Sequence, residues 1–212
     1  MRAIIFANGY LESIPPLISQ ISQKDLIIAA DGGLRHCNDL NIIPNLIIGD
    51  LDSIHQNDLL KMKSLGVEII KYHRRKDETD LELSLKMAIE RGADDVLIIG
   101  ALGGRWDMTF SNVLILAADF LKGITVKIMD GNQEIFCIRD GQQINITNHI
   151  NGSLSLLPLS ETVEKISLNG MEYLLNEEPL SQGTSRGLSN IIIENEASIH
   201  VTKGKLLVMI DG

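Results

Sequence analysis

Cysteine is scarce in this chain. The two present, Cys37 and Cys137, stand far apart and in no CxxC pair. A disulfide framework and a zinc site are therefore excluded as organising devices, and a reducing compartment fits. Aromatic residues reach only 4%, so the core must be aliphatic, built from Ile and Leu. Basic residues are outnumbered, 19 Lys+Arg against 28 Asp+Glu, for a net charge of −9. Without a basic stripe, nucleic acid is excluded as a partner. No apolar run approaches the ~20 residues that cross a bilayer, so no membrane association is expected. The run inside Met1–Gly9 is too short for a signal peptide. These absences predict a cytoplasmic protein.

What is present divides into two rhythms. Up to about residue 130, short apolar runs alternate with amphipathic stretches. The runs are Ala3–Ala7, Leu26–Ala30, Leu46–Ile48, Val67–Ile70, Val96–Ile99 and Thr125–Met129. Each is apolar at consecutive positions, as a strand buried on both faces should be. One helix is predicted over Asp80–Arg91, with Leu81, Leu85, Ala88 and Ile89 on one face and Gly92 as its stop. A second is predicted over Trp106–Leu121, with Phe110, Val113, Leu114, Ala117 and Leu121 on one side and Trp106 packing at its start. Strand–helix alternation implies a Rossmann-like parallel sheet with helices on both faces. After about Asp130 the helical patterns stop. Short segments remain, at 134–138, 143–146, 153–157, 163–168, 191–194, 198–201 and 205–210, parted by turns such as Asp140-Gly141 and Asn169-Gly170. That is the spacing of an all-β unit. The expected fold is thus α/β, then all-β: a nucleotide-binding domain over 1–132 and a C-terminal β-sandwich over 133–212. Asn176–Asn190 has no periodicity and is expected to be a long loop.

In an open parallel sheet, ligands bind at the carboxyl ends of the strands. Here those ends carry Asp31-Gly32-Gly33, Gly49-Asp50-Leu51-Asp52-Ser53, Lys76-Asp77-Glu78-Thr79-Asp80 and Gly103-Gly104-Arg105-Trp106-Asp107. Asp50 and Asp52, two apart in an extended stretch, can point the same way. Converging carboxylates repel unless a cation lies between them, and an all-oxygen donor set suits Mg²⁺. Glycines let backbone N–H groups approach phosphate. Lys76 and Arg105 can stabilise a phosphoryl group in transfer. Each piece also has a plainer reading. Asp31-Gly32-Gly33 is a good turn, Asp50–Asp52 a solvated one, and Thr79-Asp80-Leu81-Glu82 a capping box. The chemistry rests on all four falling on one rim. The histidines, His36, His55, His73, His149 and His200, show no ligand spacing and read as surface or core residues.

Ala30–Gly33, Gly49–Ser53, Thr79-Asp80 and Gly103–Asp107, in this order, resemble the thiamine pyrophosphokinases. Gly170–Leu175 and Gly187-Leu188-Ser189-Asn190 are similar to that family's C-terminal motifs, so the resemblance covers nearly the whole chain. It implies a homodimer with the thiamine site shared across the subunit contact. It also implies attack of the thiamine hydroxyl on the β-phosphorus of ATP, giving thiamine diphosphate and AMP. By the resemblance, Asp50, Asp52 and Asp80 hold Mg²⁺ and the phosphates. Asp31, Gly32, Gly33, Thr79, Gly103, Gly104 and Asp107 line the ATP site. Lys76 and Arg105 stabilise the moving pyrophosphoryl group. Ser189 and Asn190 contact thiamine, with Leu188 and Tyr173 nearby. Two positions depart from the pattern: Met108 where many relatives have His, and Ile191 where many have Glu. Rival readings are a pyrophosphokinase acting on a pterin alcohol and a non-enzymatic nucleotide or thiamine sensor.

Overall fold

The computed structural model describes residues 1–11 and 13–212. The chain divides into two compact units, Met1–Gly131 and Asn132–Gly212.

The first unit is built on parallel strands: β1 (Arg2–Phe6), β2 (Leu26–Ala30), β3 (Leu46–Gly49), β4 (Glu68–Lys71), β5 (Asp95–Ile99) and β6 (Thr125–Asp130). Their spatial order is β6-β5-β1-β2-β3-β4, parallel at every junction. Every residue of β2 and β3 is buried, so both faces of the sheet are covered, as consecutive apolar positions require. The helices are α1 (Leu34–Asp39), α2 (Gln56–Ser64), α3 (Asp80–Glu90) and α4 (Trp106–Leu114). Leu34, Cys37 and Met62 from α1 and α2 join Ile4, Phe6, Ile27, Ala29 and Ile47 in one apolar cluster. Helix α3 packs on β1, β2 and β3, through its buried Leu81, Leu85 and Ala88. The chain runs outward from β1 through β4, then crosses back to place β5 on the other side of β1. The sheet order therefore reverses between β1 and β5, which opens a crevice at their carboxyl ends.

Local chemistry sets the bounds of α3. The Thr79 hydroxyl accepts a hydrogen bond from the Glu82 N–H at 3.1 Å, closing the first turn. At the other end Gly92 sits at φ 90°, the left-handed cap the sequence predicts. The expected helix over 106–121 is shorter than its pattern. Helix α4 ends at Leu114, a 3-10 turn covers Ile115–Ala117, Ala118 is extended, and a second 3-10 turn covers Asp119–Leu121. A continuous helix would set Leu116 and Leu121 about 140° apart, yet both are buried. Breaking the helix lets both reach the core, and no glycine or proline marks the break. A further correction concerns Trp106, Phe110 and Leu114. They do not pack inward but are exposed, at 76%, 62% and 53%. Strand β4 is an edge with exposed Glu68 and Lys71, not a strand buried on both faces.

The second unit is antiparallel. Strands β7 (Gln133–Ile138), β9 (Ser153–Pro158), β12 (Asn190–Ile191) and β14 (Leu206–Asp211) form one sheet, in the order β12-β9-β14-β7. Strands β8 (Gln143–Thr147), β10 (Thr162–Asn169), β11 (Glu178–Ser181) and β13 (Glu196–Lys203) form a second, in the order β11-β10-β13-β8. Alternate residues of both sheets enter one core, among them Leu154, Leu156 and Val208 from the first and Ile166, Ile199 and Val201 from the second. The alternation slips once, between Val163 and Ile166, at a bulge where Lys165 takes φ 51°. The expected loop 176–190 contains β11. Pro179 hides it in the sequence, and the structure tolerates Pro179 because β11 is an edge strand. The expected strand 191–194 shrinks to Asn190–Ile191 followed by an isolated bridge from Ile192 to Met171.

Leu85 is fully buried between α3 and the sheet. Leu85→Ala should cost about 2–5 kcal/mol in urea unfolding, whereas Glu90→Ala, on the exposed face, should stay within about 0.5 kcal/mol.

Candidate active site

The acidic turns meet where β2 and β3 end. Carboxylate oxygens of Asp31, Asp50 and Asp52 lie within 4.8 Å of one another. Two unusual backbone conformations bring them there. Asp31 takes φ 45° and Leu51 takes φ 67°, both left-handed. For a leucine that conformation is strained by about 1–3 kcal/mol and persists only where the surroundings hold it. Here the Leu51 side chain packs on the apolar cluster of the first unit. The residue between the two acids is thus an anchor, and the Asp50–Asp52 stretch is a turn, not the extended segment the sequence suggests. The Asp52 N–H donates back to the Asp50 carboxylate at 3.1 Å and tightens it. Gly49 makes room, since a Cβ there would come 2.8 Å from the Asp31 Cβ.

Basic residues of the 72–80 segment answer these acids. The Lys76 ammonium pairs with Asp80 at 2.5 Å, and Arg74 reaches Asp52 at 3.5 Å. Burial pushes the Asp80 carboxyl up. The Lys76 ammonium opposes that shift, while the charges of Asp31 and Asp50 reinforce it. Asp80 therefore shares the field of the cluster. Asp31 is itself buried, and its Oδ1 has no hydrogen-bond partner among the described residues. A buried carboxylate oxygen is almost always satisfied. An orphan beside two further carboxylates fits a divalent cation with oxygen ligands, and Asp31, Asp50 and Asp52 are the residues that can hold one.

A cleft of about 360 Å³ opens beside this cluster, lined by Asp31, Thr79, Asp80, Gly103, Gly104 and Arg105 together with Met108 and the turn Asn8-Gly9-Tyr10. Asp50, Asp52 and Lys76 adjoin it through Asp31 and Asp80. Gly32 and Gly33 are placed differently. They are buried against Asn8 and Phe6, where a Cβ on Gly33 would lie 1.9 Å from the Phe6 carbonyl oxygen. They let the β2 turn sit close to β1. Arg105 and Asp107 form an exposed forked pair, at 3.1 Å and 2.5 Å, which lowers the Asp107 carboxyl.

The Asn8-Gly9-Tyr10 turn lines the same cleft, and no local sequence signal marks it. Its backbone is tied to the turn after β5 by Gly9 N–H to Gly100 O at 2.6 Å and Tyr10 N–H to Leu102 O at 2.8 Å. The Gly9 carbonyl accepts from Arg35 at 2.5 Å and from His36 Nε2 at 2.9 Å. His36 is a buried clamp on this turn, and burial holds its imidazole below the usual value. Only the sheet order, with β1 beside β5, marks this turn as part of the crevice.

In the second unit, Tyr173, Leu188 and Asn190 line a cavity of about 520 Å³. Ser189 lies outside that lining. It is exposed at φ 57°, with its N–H donated to the Ser155 hydroxyl at 3.1 Å. Asn190 is buried, and its amide is fully engaged: Nδ2 donates to Tyr173 O at 2.6 Å, while Oδ1 accepts from the N–H groups of Tyr173 and Ile191 at 3.0 and 2.9 Å. Its side chain positions Tyr173.

Leu51→Gly removes both the strain and the anchor. Folding stability should change by only about 1 kcal/mol as the two effects offset. Binding of Mn²⁺ alone, followed by titration calorimetry, should weaken several-fold because the Asp50–Asp52 turn is no longer held.

Comparison with known proteins now bears on these two sites. Residues 18–128 match the model of the thiamin pyrophosphokinase catalytic domain, and residues 142–206 match that of the thiamin pyrophosphokinase vitamin B1 binding domain. Thiamine pyrophosphokinase of Bacillus subtilis is 29% identical, over 97% of this chain and 96% of that one. The crystal structure of the Bacillus subtilis enzyme superposes with a TM-score of 0.89 at 26% identity, covering 100% of this chain and 99% of that chain. That of thiamin pyrophosphokinase from Geobacillus thermodenitrificans gives 0.86 at 25% identity, covering 100% and 98%. With the catalytic model spanning more than half of its length, the chain belongs to the thiamin pyrophosphokinase family, enzymes that transfer pyrophosphate from ATP to thiamine.

Proposed function

We propose that the two units divide this reaction, the first acting as a Rossmann-like nucleotide-binding catalytic domain and the second as a β-sandwich that binds thiamine. The observation that carries the reading is the orphaned Asp31 oxygen beside Asp50 and Asp52, at the rim of the cleft. Asp31, Asp50 and Asp52, with Asp80 beside them, are the residues for Mg²⁺. The ion supplies charge neutralisation for the ATP phosphates. Asp31 joins as a ligand in addition to the role of lining the site that its turn suggests.

The chain's own residues do the rest. Gly103 and Gly104, at φ 81° and 70°, line the cleft, and so does the start of α3 at Asp80 and Leu81, where a helix N-terminus favours phosphate. Lys76 and Arg105 each hold an acidic partner, Asp80 and Asp107, and exchange it for phosphate oxygens when ATP enters. The thiamine hydroxyl oxygen bonds to the β-phosphorus of ATP. The bond from that phosphorus to the α-phosphate oxygen breaks, AMP leaves, and a carboxylate of the acidic set takes the hydroxyl proton. Positioning and charge stabilisation account for the catalysis. Tyr173 and Leu188 meet thiamine. Ser189 is nearby, and Asn190 acts through Tyr173.

We place the reaction in the cytoplasm. The thiols of Cys37 and Cys137 are both free. Among the described residues no helix is long and apolar enough to cross a membrane. We also propose a homodimer. Helix α4 supports it by presenting Trp106, Phe110 and Leu114 to solvent at successive i, i+4 positions, a stripe that a second copy would cover.

AMP release with thiamine as acceptor tests the activity; release with hydroxymethylpterin and none with thiamine would overturn it. Asp80→Asn should lower kcat by about 10²–10³-fold with an unchanged circular dichroism spectrum. A near-normal rate would remove Asp80 from the site. Mg²⁺ alone should raise the melting temperature of the wild type and leave that of Asp50→Asn unmoved. Phe110→Asp should shift the light-scattering mass from dimer to monomer; an unchanged dimer would move the contact elsewhere.

A further inference from the structure

The cavity of the second unit has a wall chemistry that singles out one charge. Its volume of about 520 Å³ is that of a small-ligand pocket. Most of its wall is apolar: Leu156, Leu168, Leu175 and Leu188, with the ring of Tyr173. Three polar side chains interrupt it, Glu172, Arg186 and Asn190. Two of them are already committed. Asn190 spends its amide on the backbone of Tyr173 and Ile191 and on the Met171 sulfur. The Arg186 guanidinium is paired with the Glu178 carboxylate.

Glu172 is different. Its backbone is fixed, with the N–H donated to Ile191 O at 2.9 Å and the adjoining Met171 bridged to Ile192. Its carboxylate is exposed, and no basic side chain pairs with it among the described residues. The one basic side chain of the wall is tied to Glu178, which leaves Glu172, among the described residues, as the charge of an apolar, partly aromatic wall with no partner. A wall of that kind favours a flat apolar cation and disfavours an anion. The Tyr173 ring adds its own attraction for positive charge.

We infer that Glu172 is the counter-ion for the thiazolium ring of thiamine, and so the residue by which this pocket selects a cationic over a neutral acceptor. The inference rests on the assignment of this cavity to thiamine made above. A thiazolium carries its charge on a ring nitrogen without a hydrogen. It cannot donate an N–H hydrogen bond from that nitrogen, so a nearby carboxylate recognises it by Coulomb attraction alone. The interaction must then be sensitive to salt. It must also be insensitive to the geometry that an N–H donor would demand.

The test is steady-state kinetics and equilibrium binding on the full chain. Glu172→Gln keeps size and polarity and removes the charge. It should raise KM for thiamine roughly three- to tenfold, leave kcat unchanged, and flatten the rise of KM with added KCl seen in the wild type. A neutral isostere, with a thiophene in place of the thiazolium, should bind wild type and Glu172→Gln equally. An unchanged KM for thiamine, or an equal loss for the cation and the neutral isostere, would overturn the role of Glu172. Tyr173→Ala and Leu188→Ala separate this failure from that of the underlying assignment. If they raise KM for thiamine while Glu172→Gln does not, the cavity binds thiamine without this counter-ion. If none of the three moves KM, the cavity is not the thiamine site.

Discussion

Mutual repulsion among carboxylates governs the first unit. Asp31, Asp50 and Asp52 are held within 4.8 Å of one another, and Asp80 feels two of them. In isolation such a group would splay apart. Left-handed turns at Asp31 and Leu51, the missing side chain of Gly49, and the packing of a half-buried Leu51 against the core oppose that tendency. Lys76 and Arg74 offset part of the charge from the next segment of chain. The sheet, the helix cap at Thr79 and the strained turns therefore serve one end. They hold negative charge together at the strand ends, in a group that could hold a cation.

The second unit works by the opposite means. Its cavity is apolar and its polar groups are mostly spent inside the fold. Asn190 shows how far that goes: it lines the cavity, and its amide holds the backbone of Tyr173. What remains in its wall is the Tyr173 ring and the carboxylate of Glu172, which has no basic partner among the described residues. Charged side chains are dense in the first unit's cleft and sparse in the second unit's cavity.

Much of this was legible in the chain. Consecutive apolar runs marked β2 and β3, and Thr79 with Gly92 marked the ends of α3, because these signals are local. Asp50 and Asp52 could be named as a pair from their spacing. Their convergence comes from a left-handed, half-buried Leu51 and not from an extended stretch. Phe110 and Leu114 looked like a core stripe because periodicity records which residues share a face, not what that face meets. Pro179 concealed β11, for an edge strand tolerates a proline that a central strand would not.

The sequence by itself determined the parallel strands and helix α3, the change of rhythm near residue 130, and the set of acids and glycines at the strand ends. Those depend on backbone preferences and on neighbours a few positions away. Only the tertiary structure decided that Asp31 joins the cluster with an orphaned oxygen, that Asn8-Gly9-Tyr10 lines the cleft, and that the Asn190 amide is engaged while the Glu172 carboxylate has no basic partner among the described residues. Each of these depends on which strands lie side by side and on which polar groups find partners far away in the chain. Local pattern carries no record of either.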